Sequence, residues 1–111
     1  MNSNKSLHEY LIADVFAGIG GITSKNMFGG FGYYRGGKIF AIIADGKLYF
    51  KVGKSNKKYY EERGSKPFIY TSKGKDVVLT YYELPEEIME NKDDLEEWII
   101  KSLKVGVKGT K

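Results

Sequence analysis

Gly53-Lys54-Ser55 stands between a predicted strand and a predicted helix, where a phosphate-binding loop would put those residue types. Such a loop needs a further glycine five positions before Gly53, so that backbone N–H groups can cradle the phosphates, and that position is Leu48. What remains is a helix start with a lysine beside it, able to meet an anion, and an ordinary strand-to-helix turn accounts for it. Gly29-Gly30-Phe31-Gly32 is glycine-rich but lacks the spacing of a dinucleotide fingerprint. A predicted antiparallel strand follows it, not the helix that would receive a pyrophosphate. Glycines there suit a bulge, a bend or a close backbone approach. The acids Glu86, Glu87, Glu90, Asp93 and Asp94 lack the alternate spacing and central glycine of a calcium loop, and two acid-rich helix N-termini explain them. His8 is the single histidine; it has no serine or cysteine partner at a recognisable spacing and reads as a surface or boundary residue. No hydroxyl residue sits in a nucleophile elbow. Cysteine is absent, which excludes disulfide scaffolds, zinc ribbons and thiol nucleophiles. No catalytic residue, cofactor or metal ligand is expected, and the chain reads as a non-enzyme.

One constellation fits a binding role. Lys51, Lys54, Lys57, Lys58, Arg63 and Lys66 interleave with Tyr49, Tyr59 and Tyr60. Lysines neutralise phosphates and tyrosines stack on unpaired bases, so these are the candidate contacts for a partner or a nucleic acid. Against this, tyrosine is a favoured half-buried strand residue, lysines on a short helix are commonly just solvated, and Glu61 and Glu62 dilute the patch. The wider charge pattern is bipolar. Residues 51–75 hold eight lysines and arginines against two acids, residues 76–100 hold one against nine, and the formal net charge is +4. Such asymmetry can steer an acidic partner to one face, or be the solvated surface of a small domain.

The elements that would position these residues follow from pattern. A helix is expected from about Ser6 to Ala17, opened by the capping box Ser6-Leu7-His8-Glu9 and carrying Leu7, Tyr10, Leu11 and Val15 on one face, with Ile12 and Phe16 broadening the stripe. Gly18, Gly20 and Gly21 stop it. Met27–Tyr34, Lys38–Ala44 and Lys47–Val52 read as a three-stranded meander, turned at Gly36-Gly37 and Asp45-Gly46. The middle strand is apolar on both faces, as if covered on two sides. Ser55 or Asn56 caps a short helix to Arg63, with Gly64 closing it. Two strands, about Pro67–Ser72 and Asp76–Glu83, flank Lys73-Gly74-Lys75. A last helix places Leu95, Trp98, Ile99 and Leu103 on one stripe, with acids near its start and Lys101 and Lys104 near its end. The order is α-β-β-β-α-β-β-α: an α+β layer of helices on an antiparallel sheet.

At 111 residues, with 41% hydrophobic and 29% charged, the chain fits one soluble core rather than two modules or a disordered segment. The domain is expected over residues 1–104, with 105–111 a flexible tail. The longest apolar run, Ile39 to Ala44, is too short to span a membrane, and the polar N-terminus is no signal peptide. A cytoplasmic protein with no membrane partner is the expectation.

A further set of motifs occurs in fixed order. These are Met27-Phe28-Gly29-Gly30-Phe31-Gly32-Tyr33-Tyr34, Phe40-Ala41-Ile42-Ile43-Ala44-Asp45 and Leu48-Tyr49-Phe50-Lys51, followed by Pro67-Phe68-Ile69-Tyr70, Lys73-Gly74-Lys75 and Leu79-Thr80-Tyr81-Tyr82-Glu83-Leu84-Pro85-Glu86. Together they resemble the N-terminal domain of the TfoX/Sxy family, bacterial regulators of natural competence, from about Leu7 to Lys104. The resemblance implies an α+β fold similar to that of type III secretion chaperones. It also implies a regulatory role in transcription exerted through protein contacts, since full-length members are coactivators working with the cyclic-AMP receptor protein at competence promoters. Direct nucleic-acid binding through residues 51–66 is the alternative. No catalytic residues are known for the family, so none is carried over. Met27, Phe28, Gly29, Gly30, Tyr81 and Tyr82 match its motifs, with a purely structural job as one reading. Full-length members add a C-terminal helical domain, so a stand-alone form lacking it is expected here. Because secretion-chaperone-like folds often pair, a homodimer is left open.

Overall fold

The computed structural model describes residues 3–27 and 30–105. In chain order it holds helix α1 (Ser3–Tyr10), a π-helical turn (Leu11–Val15), strands β1 (Ile22–Met27), β2 (Gly30–Arg35), β3 (Lys38–Ala44) and β4 (Lys47–Lys51), and helix α2 (Lys57–Glu61). Strands β5 (Pro67–Ser72) and β6 (Lys75–Glu83) and helices α3 (Glu86–Met89) and α4 (Lys92–Leu103) complete it. The fold is α+β. One antiparallel sheet runs β1-β2-β3-β4-β6-β5, so β6 reaches past β5 to pair with β4. The three expected glycine-bearing turns are present; Gly36-Gly37 and Asp45-Gly46 hold both residues at positive φ, as two-residue hairpins require.

The core lies between one face of the sheet and α1, the π-turn and α4. Phe40, Phe50, Tyr33, Leu11, Leu95 and Ile99 are all under 2% exposed. A bulge in β3 sets two consecutive side chains inward: Tyr33 opposes Ala41 and Tyr34 opposes Ile39, leaving Phe40 as the extra residue. Phe40 and Ala41 are both buried, and the Phe40 ring meets Phe16 and Phe50 edge-on at 5.9 and 5.5 Å. Helix α4 forms as its pattern dictates. Asn91 caps it by accepting from the Asp94 N–H at 3.1 Å, Asp93 and Asp94 sit in its first turn and Lys101 in its last.

Several expectations change. The first helix begins at Ser3, so Ser6 and Glu9 lie inside it and form no capping box. The extra turn is anchored from outside, where Asn4 Oδ1 accepts from the Gly46 N–H at 2.6 Å. Its far end is not α-helical either. Phe16 N–H donates to the Leu11 carbonyl at 2.7 Å, and this wide turn buries Leu11, Val15 and Phe16 together. Tyr10, expected on the apolar face, is 48% exposed.

The strand expected over Met27–Tyr34 is two strands, with Met27 opposite Gly30. Phe28 and Gly29 lie outside the described residues. Strand β1 gave no alternation to read, because its four middle residues are exposed on an edge. Pro85 and the acids behind it start a separate four-residue helix, α3, before α4. The expected tail lies outside the described residues except for Val105, whose N–H donates to the Ser102 carbonyl at 3.1 Å.

Candidate functional site

The basic segment 51–66 is divided by the fold. Lys51 lies opposite Tyr81 on the sheet, on the face away from the helices. Lys54 and Lys66 are exposed in the flanking loops. On α2, Lys57 pairs with Glu61 at 3.7 Å and the Lys58 ammonium stands 5.3 Å from its neighbour's Tyr59 ring. Arg63 lies over the Trp98 ring at 5.1 Å and reaches Glu87 at 3.4 Å, which ties it to the acidic α3–α4 side. The tyrosines separate too. Tyr60 is 1% exposed, with its ring 4.6 Å from Trp98 inside the core, while Tyr49 packs on Phe68 at 5.0 Å across the sheet. The six cations and three rings therefore share no single surface.

The loop Gly53-Lys54-Ser55 is locked by its own chain. Asn56, 1% exposed, accepts from the Gly53 N–H at 2.8 Å and donates to the Lys51 carbonyl at 3.1 Å. That occupies the amide a phosphate would need, so the strand-to-helix turn is the structural role of these residues. His8 is half-buried. It stacks on Phe31 with ring centroids 3.9 Å apart and hydrogen-bonds Tyr33 Oη through Nδ1 at 2.7 Å. Burial pushes the Tyr33 phenol well above its usual range. Among the described residues no group of three or more His, Cys, Asp or Glu is arranged to hold a metal ion, and no helix is long and apolar enough to cross a membrane.

Three surface features stand out instead. The first is the helix-free face of the sheet, where Lys25, Gly32, Ile42, Tyr49 and Glu83 form one cross-strand row through their pairings. Tyr34, Ile39 and Met27 close over Gly32, where a Cβ would come within 2.9–3.4 Å of all three. Lys25 stands 5.3 Å from the Tyr34 ring. Burial, then the charge of Tyr34 on the same face, push the Tyr81 phenol up. No described helix covers these half-buried rings.

The second feature is an arm. Residues 81–83 of β6 pair with β4, and Thr80 still accepts from the Val52 N–H at 2.8 Å; over residues 75–78 the strand's partner is β5. On this overhanging ribbon the cross-strand pairs Ile69–Val78 and Tyr70–Val77 lie on opposite faces, at 51%, 62%, 53% and 45% exposure. Thr71 Oγ1 donates to Asp76 Oδ1 at 2.7 Å near the tip. The third is a cleft of about 320 Å³ between α1, the β3–β4 turn and α3, lined by Leu7, Tyr10, Leu84 and Met89 with Glu83, Glu86, Glu90 and Lys47 at its walls. Neither arm nor cleft was read from sequence. The arm's residues were assigned to the right strands, but which strand overhangs depends on a non-local pairing, and the cleft rests in part on α3, which the expected order did not contain.

A sequence model of the TfoX N-terminal domain matches residues 14–105, which takes in every strand, the arm and most of the cleft. The chain belongs to the TfoX N-terminal domain family. Among its relatives, the DNA transformation protein TfoX1 of Aliivibrio fischeri (strain ATCC 700601 / ES114) is 28% identical over 68 residues, covering 61% of this chain and 32% of that protein. Protein Sxy of Escherichia coli (strain K12) is 26% identical over 82 residues, covering 74% of this chain and 39% of that protein. The chain thus spans well under half the length of either relative. Within this TfoX N-terminal domain, the motif residues that the sequence singled out have unlike jobs. A side chain at Gly30 would run into the Ile43 carbonyl, and Tyr82 packs 5.9 Å from Tyr60 on the core side. Tyr81 instead faces away from the helices, opposite Lys51.

Proposed function

We propose that this chain is a non-enzymatic regulatory module of the TfoX/Sxy type, acting in competence-related transcription through protein–protein contacts. The family match over residues 14–105 carries the proposal, together with a relative named for DNA transformation. The partner is a transcription factor or a polymerase component. What supports contact is the helix-free face, which offers half-buried Tyr34, Ile39 and Tyr81 beside Lys25 and Lys51. Aromatic rings with a charged rim are the composition that protein interfaces favour.

The test is a deletion of the gene in its own host, read by transcript levels of competence genes. Transcripts fall in the deletion, return with the wild-type chain, and stay low with a Tyr34→Asp/Tyr81→Asp chain that circular dichroism shows to be folded. Transcripts that do not respond to the deletion overturn the proposal.

A further inference from the structure

We propose that the β5–β6 arm of one copy of this chain docks into the acidic cleft of a second copy, and reciprocally, giving a two-fold dimer. The inference stands apart from the regulatory reading and would hold for a chain with any partner. It starts from an anomaly. A two-stranded ribbon with large apolar side chains exposed on both faces is marginal in water, and Ile69, Tyr70, Val77 and Val78 are all about half exposed or more. The outer strand is also poorly defended: β5 contains no charged residue, and Pro67 blunts only its first position.

The arm's charges say what covers it. Lys73 and Lys75 stand at the tip, where Asp76 is engaged by Thr71. The cleft offers the complement: apolar Leu7, Tyr10 and Met89, walled by the acids Glu86 and Glu90 of α3 and its end. A basic, apolar projection and an acidic, apolar recess are matched in both respects.

An arm cannot fill its own cleft. The tip and Glu83 lie at opposite ends of β6, Lys75–Glu83, a separation of roughly 26 Å at about 3.3 Å per residue. Two copies placed antiparallel along β6 solve this, because each tip then lies beside the other's cleft. Both contacts form at once, and the assembly closes as a dimer rather than growing into a filament.

The purified full chain is examined by sedimentation equilibrium at low and high salt. The wild type should dimerise at low salt and weaken as salt rises. Lys73→Glu/Lys75→Glu, and separately Glu86→Lys/Glu90→Lys, should each weaken the dimer by about tenfold or more. Mixing the two variants should restore it, since in the mixed pair one contact is doubly reversed and the other is wild type. A chain that stays monomeric at low salt up to its solubility limit overturns the proposal. A dimer indifferent to either reversal also overturns it, and would point to β5 pairing with its own copy. Two weakened variants that fail to rescue each other overturn it as well, because each would then be damaged for its own reasons.

Discussion

Strand β6 belongs to two environments. Around residues 81–84 it is clamped between β4 and the helix layer: Tyr82 packs beside Tyr60, and Leu84 is 3% exposed with its N–H donating to the Leu48 carbonyl at 2.9 Å. Around residues 75–78 the same strand has β5 as its neighbour and water on both sides, with Val78 at 62% exposure. Both stretches carry large apolar or aromatic residues, Tyr81, Tyr82 and Leu84 in the first and Val77 and Val78 in the second. Burial here is set by what lies across the sheet, so apolar character marks a strand but does not say whether that strand is core. If the two halves truly differ, substitutions in the body should cost what cavities cost, and substitutions in the arm should cost almost nothing.

The largest effect is expected at Phe50, which is fully buried and meets Phe40 edge-on at 5.5 Å. Phe50→Ala removes most of a ring the close-packed surroundings cannot refill, and should cost about 3–5 kcal/mol in a urea unfolding experiment. A loss below about 1 kcal/mol would mean that the helix layer closes over the gap, and that the body is as plastic as the arm.

A smaller but still large effect is expected where the body is held by polar contacts. Asn56 is buried and joins Gly53 and Lys51, so Asn56→Ala leaves a donor and an acceptor in a site closed to water. The cost should be about 2–3 kcal/mol by the same measurement. Ser102 supports the same carbonyl from α4, donating to Lys51 O at 2.9 Å, so part of that acceptor stays satisfied and the loss should fall short of the cavity variant.

Much of this body was legible in the sequence. The turns at Gly36-Gly37 and Asp45-Gly46, the strand Lys38–Ala44 and the stripe of Leu95, Trp98 and Ile99 were all read correctly, because each rests on spacing within a few residues. What escaped was non-local or exposed. Strand β1 is an edge with four exposed middle residues and so has no alternation. Val15 and Phe16 stood on the expected helical stripe and are buried, but the wide π-turn that brings both inward leaves no mark in the spacing. The basic segment was legible as charge but not as a surface: its linear run of cations is parted by the sheet, and two of them, Lys57 and Arg63, find carboxylates.

Alkaline titration probes the body in a further way. Burial raises the Tyr33 and Tyr60 phenols above their ordinary value near 10. A group whose folded pKa is raised contributes stability that is complete below its unfolded value and is lost as pH climbs from there toward the folded one. Unfolding free energy should therefore decline above pH 10, by at most about 1.4 kcal/mol per pH unit for each buried phenol. Tyr33→Phe should make that decline shallower. A decline that Tyr33→Phe leaves as steep would mean that this phenol is not shielded by the body.

The smallest expected effect is the most searching. Ile69→Thr/Val78→Thr replaces a cross-strand pair of the arm with residues of equal β-propensity and less apolar surface. In dilute solution, where each arm faces water, little burial is lost and the unfolding free energy should stay within about 0.5 kcal/mol of the wild type. The measurement is repeated at high protein concentration, where a docked arm would make the same pair part of an interface. There the variant should unfold more readily than the wild type, since association stabilises only the chain that can associate. The contrast between the two concentrations separates an arm that is merely tolerated from one that is used. A substitution that costs as much as a core cavity even in dilute solution would place residues 69 and 78 inside the fold's own core, and β6 would then have one environment rather than two.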